Sequence, residues 1–237
     1  KAGAKEGMII VHGGGSFGHP LASEYKLHEG LKNKRQIKGV VLARRAMNEL
    51  SCRVVDALAH KGILAVSLQP SANIICRRGR IEQINVQIIK NFLKLGITPV
   101  LCGDIVIDEE QGFCILSGDQ IVSCLSEIFK PDKIMLATDI DGIFDKNPKK
   151  FSSAELIEEI NPSNIKEVLQ KLEAPPNDVT GGIKGKLLEL IALANKGFEA
   201  QIINALKPGR LKKALLGQQV IGTTIKKGRY NDRRKKA

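Results

Sequence analysis

The chain has 237 residues, of which 43% are hydrophobic and 26% are charged. That length fits one large α/β domain or two small ones, and the composition excludes a disordered chain. No apolar run approaches the ~18 residues that a membrane-spanning helix needs, and the N-terminus lacks the apolar segment of a signal peptide. The five cysteines lie far apart without a C-x-x-C pair, which favours buried thiols over a disulfide framework or a zinc site. We therefore expect a cytoplasmic protein without membrane insertion.

The net charge of +12 is concentrated at the C-terminus. Residues 226–237 contain seven Lys or Arg and one Asp, so this tail carries +6 and the other 225 residues share the remaining +6. A solvated basic tail explains this distribution better than specific nucleic-acid binding, and weak attraction to RNA or to a membrane surface is the alternative. The moderately basic remainder suits an enzyme that binds anionic phosphates.

Short β-branched runs alternate with longer amphipathic segments along the chain. At 40–59 apolar residues recur at spacings of three and four, which predicts a helix. Residues 105–108 and 113–116 flank Glu109-Glu-Gln-Gly112 and predict a hairpin. The alternation indicates a three-layer α/β/α sandwich around a mainly parallel central sheet. The other predicted strands are 8–11, 64–68, 97–102, 133–138 and 199–203, and the other predicted helices are 86–95, 120–129, 164–172, 184–196 and 211–216.

The glycine-rich segment His12-Gly-Gly-Gly-Ser-Phe-Gly-His19 directly follows the first predicted strand. Glycines let backbone N–H groups approach an anion closely and tolerate positive φ angles. Ser16 is expected to begin a helix whose N-terminal amides add partial positive charge. The order of strand, glycine loop and helix predicts a phosphate-binding loop, and a tight turn that only permits close packing is the alternative. The segment matches neither a Walker loop nor a dinucleotide-binding fingerprint.

The two histidines of this segment have different expected roles. His19, at the end of the loop, can donate a charge-assisted hydrogen bond to a phosphate oxygen. His12 sits closer to the strand end, and we expect a structural histidine whose hydrogen bonds are satisfied. His28 and His60 have no motif around them and are expected at the surface or at helix caps.

Three further segments combine glycine with an acidic residue near a predicted strand or hairpin. Each alone is a weak signal because Asp-Gly turns are common. Together they place several loops at the carboxyl ends of strands, where open α/β sheets bind ligands. The segments are Ser117-Gly-Asp119, Thr138-Asp-Ile-Asp-Gly142, and Asp178-Val-Thr-Gly-Gly182, the last before a helix that carries Lys184 and, in its first turn, Lys186.

These four segments occur in the same order and at similar spacing in the amino acid kinase superfamily, which the chain resembles from about residue 8 to residue 225. The glycine loop with two histidines is similar to that of the isopentenyl phosphate kinase branch and of fosfomycin-type kinases. Glu24-Tyr-Lys-Leu27 and Gly222-Thr-Thr-Ile225 add to the resemblance. The resemblance implies the amino acid kinase fold, a single domain over 1–225 followed by the basic tail 226–237, and a homodimer.

The resemblance also implies a reaction in which the γ-phosphoryl group of ATP is transferred to isopentenyl phosphate, a small phosphate substrate of isoprenoid biosynthesis. Phosphoryl transfer needs positioning and charge neutralisation more than covalent chemistry, so amides, lysines and Mg²⁺ suffice. The residues that the resemblance assigns to the acceptor are Gly14, His19 and Gly118. Those that it assigns to ATP are Gly15, Asp139, Gly182 and Lys186, and its catalytic residues are His19, Asp139 and Lys186.

One segment of the family has no counterpart in the chain. Family members begin with a strand that ends in a Lys-x-Gly-Gly-Ser loop, which contributes a lysine and amides to the ATP phosphates. The chain starts at Lys1-Ala-Gly-Ala-Lys-Glu-Gly7, and neither Lys1 nor Lys5 matches that motif. A missing N-terminal segment is the favoured explanation because the downstream motifs are intact, and an inactive remnant is the alternative. The competing functions are a fosfomycin-type, uridylate or acetylglutamate kinase and a non-catalytic nucleotide-binding regulator.

An isopentenyl group would need an apolar slot beside the phosphate site. Val40 and Ala43, near the start of the predicted helix at 40–59, are expected to form the slot wall. Enlarging Ala43 should then weaken acceptor binding before it disturbs the fold. Met47, Leu50 and Val54 are expected to belong to the ordinary core or to a homodimer face.

Overall fold

The computed structural model describes residues 7–172 and 182–230. Contacts divide the chain into two compact units, Lys1–Cys124 and Leu125–Ala237. The expectation of one kinase domain over 1–225 stays a prediction, and residues 231–237 of the basic tail lie outside the described part. Among the described residues, no helix is both long and apolar enough to cross a lipid bilayer.

The described part of the first unit alternates helices with short strands, largely where the sequence predicts them. In chain order they are β1 (Ile10–His12), α1 (Gly15–Glu24), α2 (Lys34–Ala59), β2 (Ala65–Ser67), α3 (Pro70–Asn73), β3 (Ile74–Arg77), β4 (Arg80–Ile84), α4 (Val86–Lys94), β5 (Thr98–Cys102), β6 (Asp104–Asp108), β7 (Gly112–Leu116) and the start of α5 (Gly118–Phe129).

Helix α2 begins at Lys34, six residues before its predicted start at residue 40. The side-chain oxygen of Asn33 accepts the N–H groups of Arg35 at 3.0 Å and of Gln36 at 3.4 Å. Gln36 completes a capping box, because its Oε1 accepts the N–H of Asn33 at 3.1 Å. The apolar stripe starts only at Val40, so this cap determines where the helix begins.

Strands β1, β5 and β2 form a parallel sheet with β5 in the centre. His12, at the end of β1, lies opposite Cys102, at the end of β5. Pro99 lies inside β5 and has no N–H to donate. This breaks no hydrogen bond of the sheet, because the nitrogen of Pro99 is on the side of β5 that faces β1, and β1 pairs with β5 only from Val100 onward. The carboxyl ends of β1 and β5 therefore meet at one edge, where the glycine loop begins.

A second sheet has the order β4-β3-β6-β7 and consists of two hairpins joined by the parallel pair β3–β6. The predicted hairpin at 105–116 is confirmed, with Asp108 opposite Gly112. The β3–β4 hairpin has no counterpart among the elements predicted from the sequence. Its turn contains Arg78 and Gly79, both with positive φ (51° and 71°), of which only glycine adopts this conformation without strain.

Asp108 connects the turns of these two hairpins and is only 1% exposed. Its Oδ1 accepts the N–H groups of Arg78, Glu110 and Gln111 at 3.0–3.3 Å. Its Oδ2 accepts the N–H of Gly79 at 2.7 Å. Burial alone would raise the pKa of Asp108, but the backbone hydrogen bonds outweigh it and the pKa lies below its ordinary value.

Replacing Asp108 by asparagine should lower the free energy of unfolding by about 2–3 kcal/mol, because an amide nitrogen would face donors that now bind a carboxylate. Since the pKa is lower in the folded state, the stabilisation is complete above the unfolded pKa of about 3.9 and is lost as pH falls through the lower folded pKa. Urea unfolding at neutral and acidic pH measures both effects. The control is Asp56→Asn on the exposed surface of α2, which should change stability by less than ~0.5 kcal/mol. Equal effects at the two positions would contradict this role for Asp108.

The described elements of the second unit continue from α5 with β8 (Ile134–Thr138), β9 (Ile143–Phe144), β10 (Leu156–Ile157), β11 (Glu159–Ile160), α6 (Ile165–Lys171), α7 (Gly182–Asn195), β12 (Ala200–Asn204), α8 (Arg210–Leu215) and β13 (Gly222–Ile225). Four of these strands form a mixed sheet with the order β11-β13-β12-β8, in which two of the three strand pairs are parallel. A small antiparallel pair, β9 with β10, lies between β8 and β11 in the chain.

Gly142, in the loop between β8 and β9, packs against Thr223 of β13. A Cβ on Gly142 would lie 2.4 Å from Thr223 Oγ1, so only glycine fits without a shift. Thr223 is fully buried, accepts the N–H of Ile143 at 2.8 Å and donates to the carbonyl of Ile157 at 2.7 Å. The Gly222-Thr-Thr-Ile225 segment therefore fixes the loop that follows β8.

Candidate active site

The glycine loop joins β1 to α1, with Gly13, Gly15 and Ser16 exposed and Gly14 buried. Helix α1 begins at Gly15, one residue before the predicted start at Ser16, and Gly14 is its N-cap. The Gly14 carbonyl accepts the N–H groups of Phe17 and Gly18, each at 3.0 Å. Gly15 has a φ of +47°, a left-handed conformation that glycine adopts without strain. Because the first amides of a helix have no intrahelical acceptor, this loop has the geometry of an anion site.

The loop rests on Met47 of α2. A Cβ on Gly18 would lie 2.9 Å from Met47 Sδ, and a Cβ on Gly14 would lie 3.3 Å from it. Glycine at these positions therefore lets α1 pack closely on α2. Met47 is 3% exposed, so it belongs to the core, which is one of the two alternatives that the sequence leaves for it.

His12, the last residue of β1, is fixed by three hydrogen bonds. Its ring Nδ1 lies 3.0 Å from the Gly13 carbonyl oxygen, and its Nε2 lies 3.0 Å from Ser51 Oγ. Its own carbonyl accepts the N–H of Gly103 at 2.9 Å. The prediction of a structural histidine with satisfied hydrogen bonds is confirmed. Sequence reasoning missed Ser51, and the available signal is its spacing of four from Met47 on the buried face of α2.

Cys102 lies at the end of β5 beside this cluster and is 4% exposed. Burial raises the pKa of the Cys102 thiol to about 11. The thiol is therefore protonated at neutral pH. It lacks the thiolate character that nucleophilic catalysis requires.

The start of α5 packs against the same end of β1. A Cβ on Gly118 would lie 3.3 Å from Val11 Cγ1 and 3.4 Å from the His12 carbonyl oxygen. Ser117 Oγ accepts the N–H of Gln120 at 3.2 Å and caps the helix. The structure thus brings the glycine loop and Gly118 to one edge of the parallel sheet.

His19 lies beside Gly14. A Cβ on Gly14 would be 3.4 Å from His19 Cδ2. The His19 side chain is exposed and forms no hydrogen bond with any residue of the described ranges. Its ring nitrogens can therefore bind a ligand held at the glycine loop.

Asp139 directly follows β8 in the second unit. Its Oδ2 accepts a hydrogen bond from Lys149 Nζ at 2.6 Å, and the two side chains are 60% and 67% exposed. The hydrogen bond from Lys149 lowers the pKa of Asp139 below its ordinary value. Exposed ion pairs contribute only about 0–1 kcal/mol, so Asp139 can exchange Lys149 for another cation at little cost.

Asp141, two residues later, holds the loop in place. It accepts hydrogen bonds from Asn204 Nδ2 at 3.1 Å and from the Arg210 guanidinium. Burial opposes the ionisation of Asp141, but these hydrogen bonds outweigh it, and its pKa lies below the ordinary value. Of these two carboxylates, Asp139 is the one at the surface and Asp141 the one committed to structure.

Gly182 is the first residue of α7, and residues 178–181 of the predicted segment lie outside the described part. Lys184 is therefore in the first helical turn. Lys186 is the fifth residue of the helix, so its predicted place in the first turn is wrong, because the helix begins at Gly182, two residues before its predicted start. Its side chain can still reach the helix start, since Cα–Cβ bonds tilt toward the N-terminus.

A cleft of about 280 Å³ lies away from the glycine loop and is lined by Gly7, Met8, Leu93, Gly96, Ile97 and Thr98. These residues lie at the amino ends of β1 and β5, and the glycine loop lies at the opposite edge of that sheet.

The sequence profile of the amino acid kinase family matches residues 1–204, and the chain belongs to that family. Isopentenyl phosphate kinase of Methanothermobacter thermautotrophicus is 41% identical over 225 residues, which cover 92% of this chain and 84% of the relative. Isopentenyl phosphate kinase of Methanocaldococcus jannaschii is 38% identical over 221 residues, covering 92% and 80%. A solved isopentenyl phosphate kinase structure matches with a TM-score of 0.81 at 38% identity, covering 92% of this chain and 84% of that one.

These matches confirm the predicted α/β sandwich of the amino acid kinase fold. The family match includes the glycine loop, the segments 117–119 and 138–142, and α7.

Proposed function

We propose that the protein phosphorylates isopentenyl phosphate with ATP, giving isopentenyl diphosphate and ADP. The observation that carries the proposal is His19, which lies against Gly14 at the end of a glycine loop, in a chain whose relatives are isopentenyl phosphate kinases. An imidazole and backbone amides neutralise a phosphate without a covalent step, which suits phosphoryl transfer. We place the reaction in the cytoplasm, in isoprenoid biosynthesis by the mevalonate pathway.

The acceptor phosphate is bound, in this proposal, by the glycine loop and the start of α5. The amide of Gly14 and the ring of His19 donate hydrogen bonds, and the amide of Gly118 adds another. The support is the position of Gly118, which packs against the end of β1 beside the glycine loop, where a Cβ would lie 3.4 Å from the His12 carbonyl oxygen. Residues without a Cβ leave their amides open to close approach by a phosphate.

The residues proposed to bind ATP contribute charge or a backbone amide. Lys186 acts as a point charge toward the phosphates. Asp139, which already pairs with Lys149, positions lysines. The complete ATP set is Gly15, Asp139, Gly182 and Lys186, and the catalytic residues of the proposal are His19, Asp139 and Lys186.

Mg²⁺ belongs to the proposal because it would neutralise the charge of the ATP phosphates when bound. Residues 7–172 and 182–230 hold no cluster of three or more His, Cys, Asp or Glu suited to a metal ion. Mg²⁺ does not need one, since one or two carboxylates together with substrate phosphates and waters usually hold it. Asp139, exposed and with a lowered pKa, is a carboxylate that fits this requirement.

Of the two residues expected to form the wall of the isopentenyl slot, we retain only one. Ala43 is only 1% exposed, so a phenylalanine there would overpack the core and cost about 1–3 kcal/mol. The prediction that Ala43 can be enlarged before the fold is disturbed is therefore wrong. Val40, about one turn earlier and partly exposed, is the better candidate for the slot wall.

A homodimer is also part of the proposal. Helix α2 exposes Ile37 (51%) and Val41 (62%), which lie one turn apart on the same face. A second copy of the chain would remove this apolar surface from water.

The proposal is tested by a coupled assay for ADP release with isopentenyl phosphate, UMP, N-acetylglutamate and fosfomycin as acceptors. We expect turnover with isopentenyl phosphate, and a diphosphate product by ³¹P NMR. Preferential turnover of any other acceptor would assign the chain to a different kinase branch. ADP release with none of the four would contradict the proposed activity.

A further inference from the structure

The His12 ring is hydrogen-bonded on one side to the Ser51 hydroxyl and on the other to the backbone of the glycine loop. The Gly13 carbonyl can only accept, so His12 Nδ1, 3.0 Å away, carries the ring proton. In the neutral imidazole Nε2 is then an acceptor, and Ser51 Oγ, at 3.0 Å, donates to it. Ser51 is 4% exposed on α2, so the pair connects a buried helix position to the loop.

The hydrogen bond to Gly13 sets the orientation of the peptide group between Gly13 and Gly14. That group is planar and trans, so its C=O and N–H point in opposite directions. The place of a Cβ on Gly13 is open space, whereas Gly14 packs against Met47 and caps α1. On the Gly13 side of this peptide, the hydrogen bond from His12 is therefore what fixes the direction in which the Gly14 N–H points.

His12 is itself held against movement, because its carbonyl accepts the N–H of Gly103 at 2.9 Å. The ring is thus fixed at the strand end on one side and by Ser51 on the other. A donor that is oriented before the substrate arrives stabilises the transition state more, because no reorganisation is needed during the reaction.

We propose that Ser51 and His12 are positioning residues that hold the Gly13–Gly14 peptide with the Gly14 N–H directed at the acceptor phosphate. This inference rests on the proposed function, in which Gly14 binds that phosphate. Neither side chain touches the reacting atoms: Ser51 acts through His12, and His12 acts through Gly13.

Two amide replacements of His12 separate the roles of its ring nitrogens. In His12→Asn the amide nitrogen takes the place of Nδ1 and can still donate to the Gly13 carbonyl. In His12→Gln the amide lies near the place of Nε2, so the contact with Ser51 is kept and the donor to Gly13 is lost. We expect His12→Gln to lower kcat/KM for isopentenyl phosphate by about tenfold to a hundredfold. His12→Asn should recover most of that loss, and the reverse order of the two variants would refute the proposal.

Ser51→Ala removes the donor to Nε2 and should lower kcat/KM for isopentenyl phosphate by about tenfold, mainly through the acceptor KM. The KM for ATP and the melting temperature should stay close to the parent values. The matched control is Ser123→Ala, a second buried serine (7% exposed), which should leave both KM values unchanged. If Ser51→Ala lowers the melting temperature while the acceptor KM is unchanged, Ser51 is only structural.

The tautomer of His12 tests the proposal in the unsubstituted protein, even where a variant does not fold. The chain has four histidines, and ¹⁵N-histidine NMR should show Nδ1 protonated and Nε2 unprotonated in neutral His12, a signal that disappears in His12→Asn. A protonated Nε2 would overturn the positioning role. Turnover measured on the same preparation separates that failure from failure of the proposed function.

Discussion

Replacing His19 by alanine is expected to lower the kcat for isopentenyl phosphate by ~10²–10³. The side chain is exposed, lies beside Gly14 and has no hydrogen bond within the described ranges, so its removal should leave folding intact. In the proposed mechanism, the substitution removes a hydrogen-bond donor to the transferring phosphoryl group. Steady-state kinetics with both substrates, together with the melting temperature, measure the effect.

The controls for His19 distinguish loss of the donor from loss of the ring. His19→Gln keeps an N–H donor and should fold normally with slight residual activity. His28→Ala changes another exposed histidine that follows α1 and should behave like the parent. Parent-like turnover by His19→Ala would exclude His19 from the catalytic residues.

Replacing Lys186 by alanine should raise the KM for ATP or lower kcat, with kcat/KM for ATP reduced about tenfold or more, because a charge-assisted contact to a phosphate is worth about 1.5–3 kcal/mol. The acceptor KM should change little, since the proposed acceptor residues lie in the glycine loop and at the start of α5. Kinetics at saturating isopentenyl phosphate and varied ATP measure the effect.

Lys184 provides the matched control for Lys186. It has the same charge, lies two residues earlier in α7 and is similarly part-exposed. Residues two apart point to different sides of a helix, so only one of the two is expected to serve ATP. Small and equal effects of Lys184→Ala and Lys186→Ala would remove Lys186 from the site.

Sequence periodicity identifies the long elements well, because burial of one helix face leaves a strong pattern. The short hairpin of β3 and β4 escapes prediction for the opposite reason. Its strands have four and five residues, and its turn contains Arg78, a residue type with no turn preference. Only Gly79 signals the turn, and an isolated glycine is a weak signal.

The candidate site is predictable where it is local and not where it depends on distant partners. The glycine loop and Gly118 are visible as motifs because a missing Cβ is a property of the sequence itself. The bond between His12 and Ser51 spans 39 positions, and that between Asp141 and Arg210 spans 69. No local pattern encodes such pairs, so they emerge only once the fold brings the residues together.

The carboxylate of Asp108 has a consequence for how the hairpins can evolve. It accepts hydrogen bonds from backbone N–H groups of both turns. Its contact with a turn side chain is the long one with the Gln111 amide. A change of side chain at Glu110 therefore leaves this anchor intact, because every residue except proline supplies the same amide. Arg78 and Gly79, with φ of +51° and +71°, are in addition constrained by conformation. The buried carboxylate of Asp108 thus holds both turns through their backbone. The exposed side chains of the two hairpins can therefore be substituted during evolution without loss of this anchor.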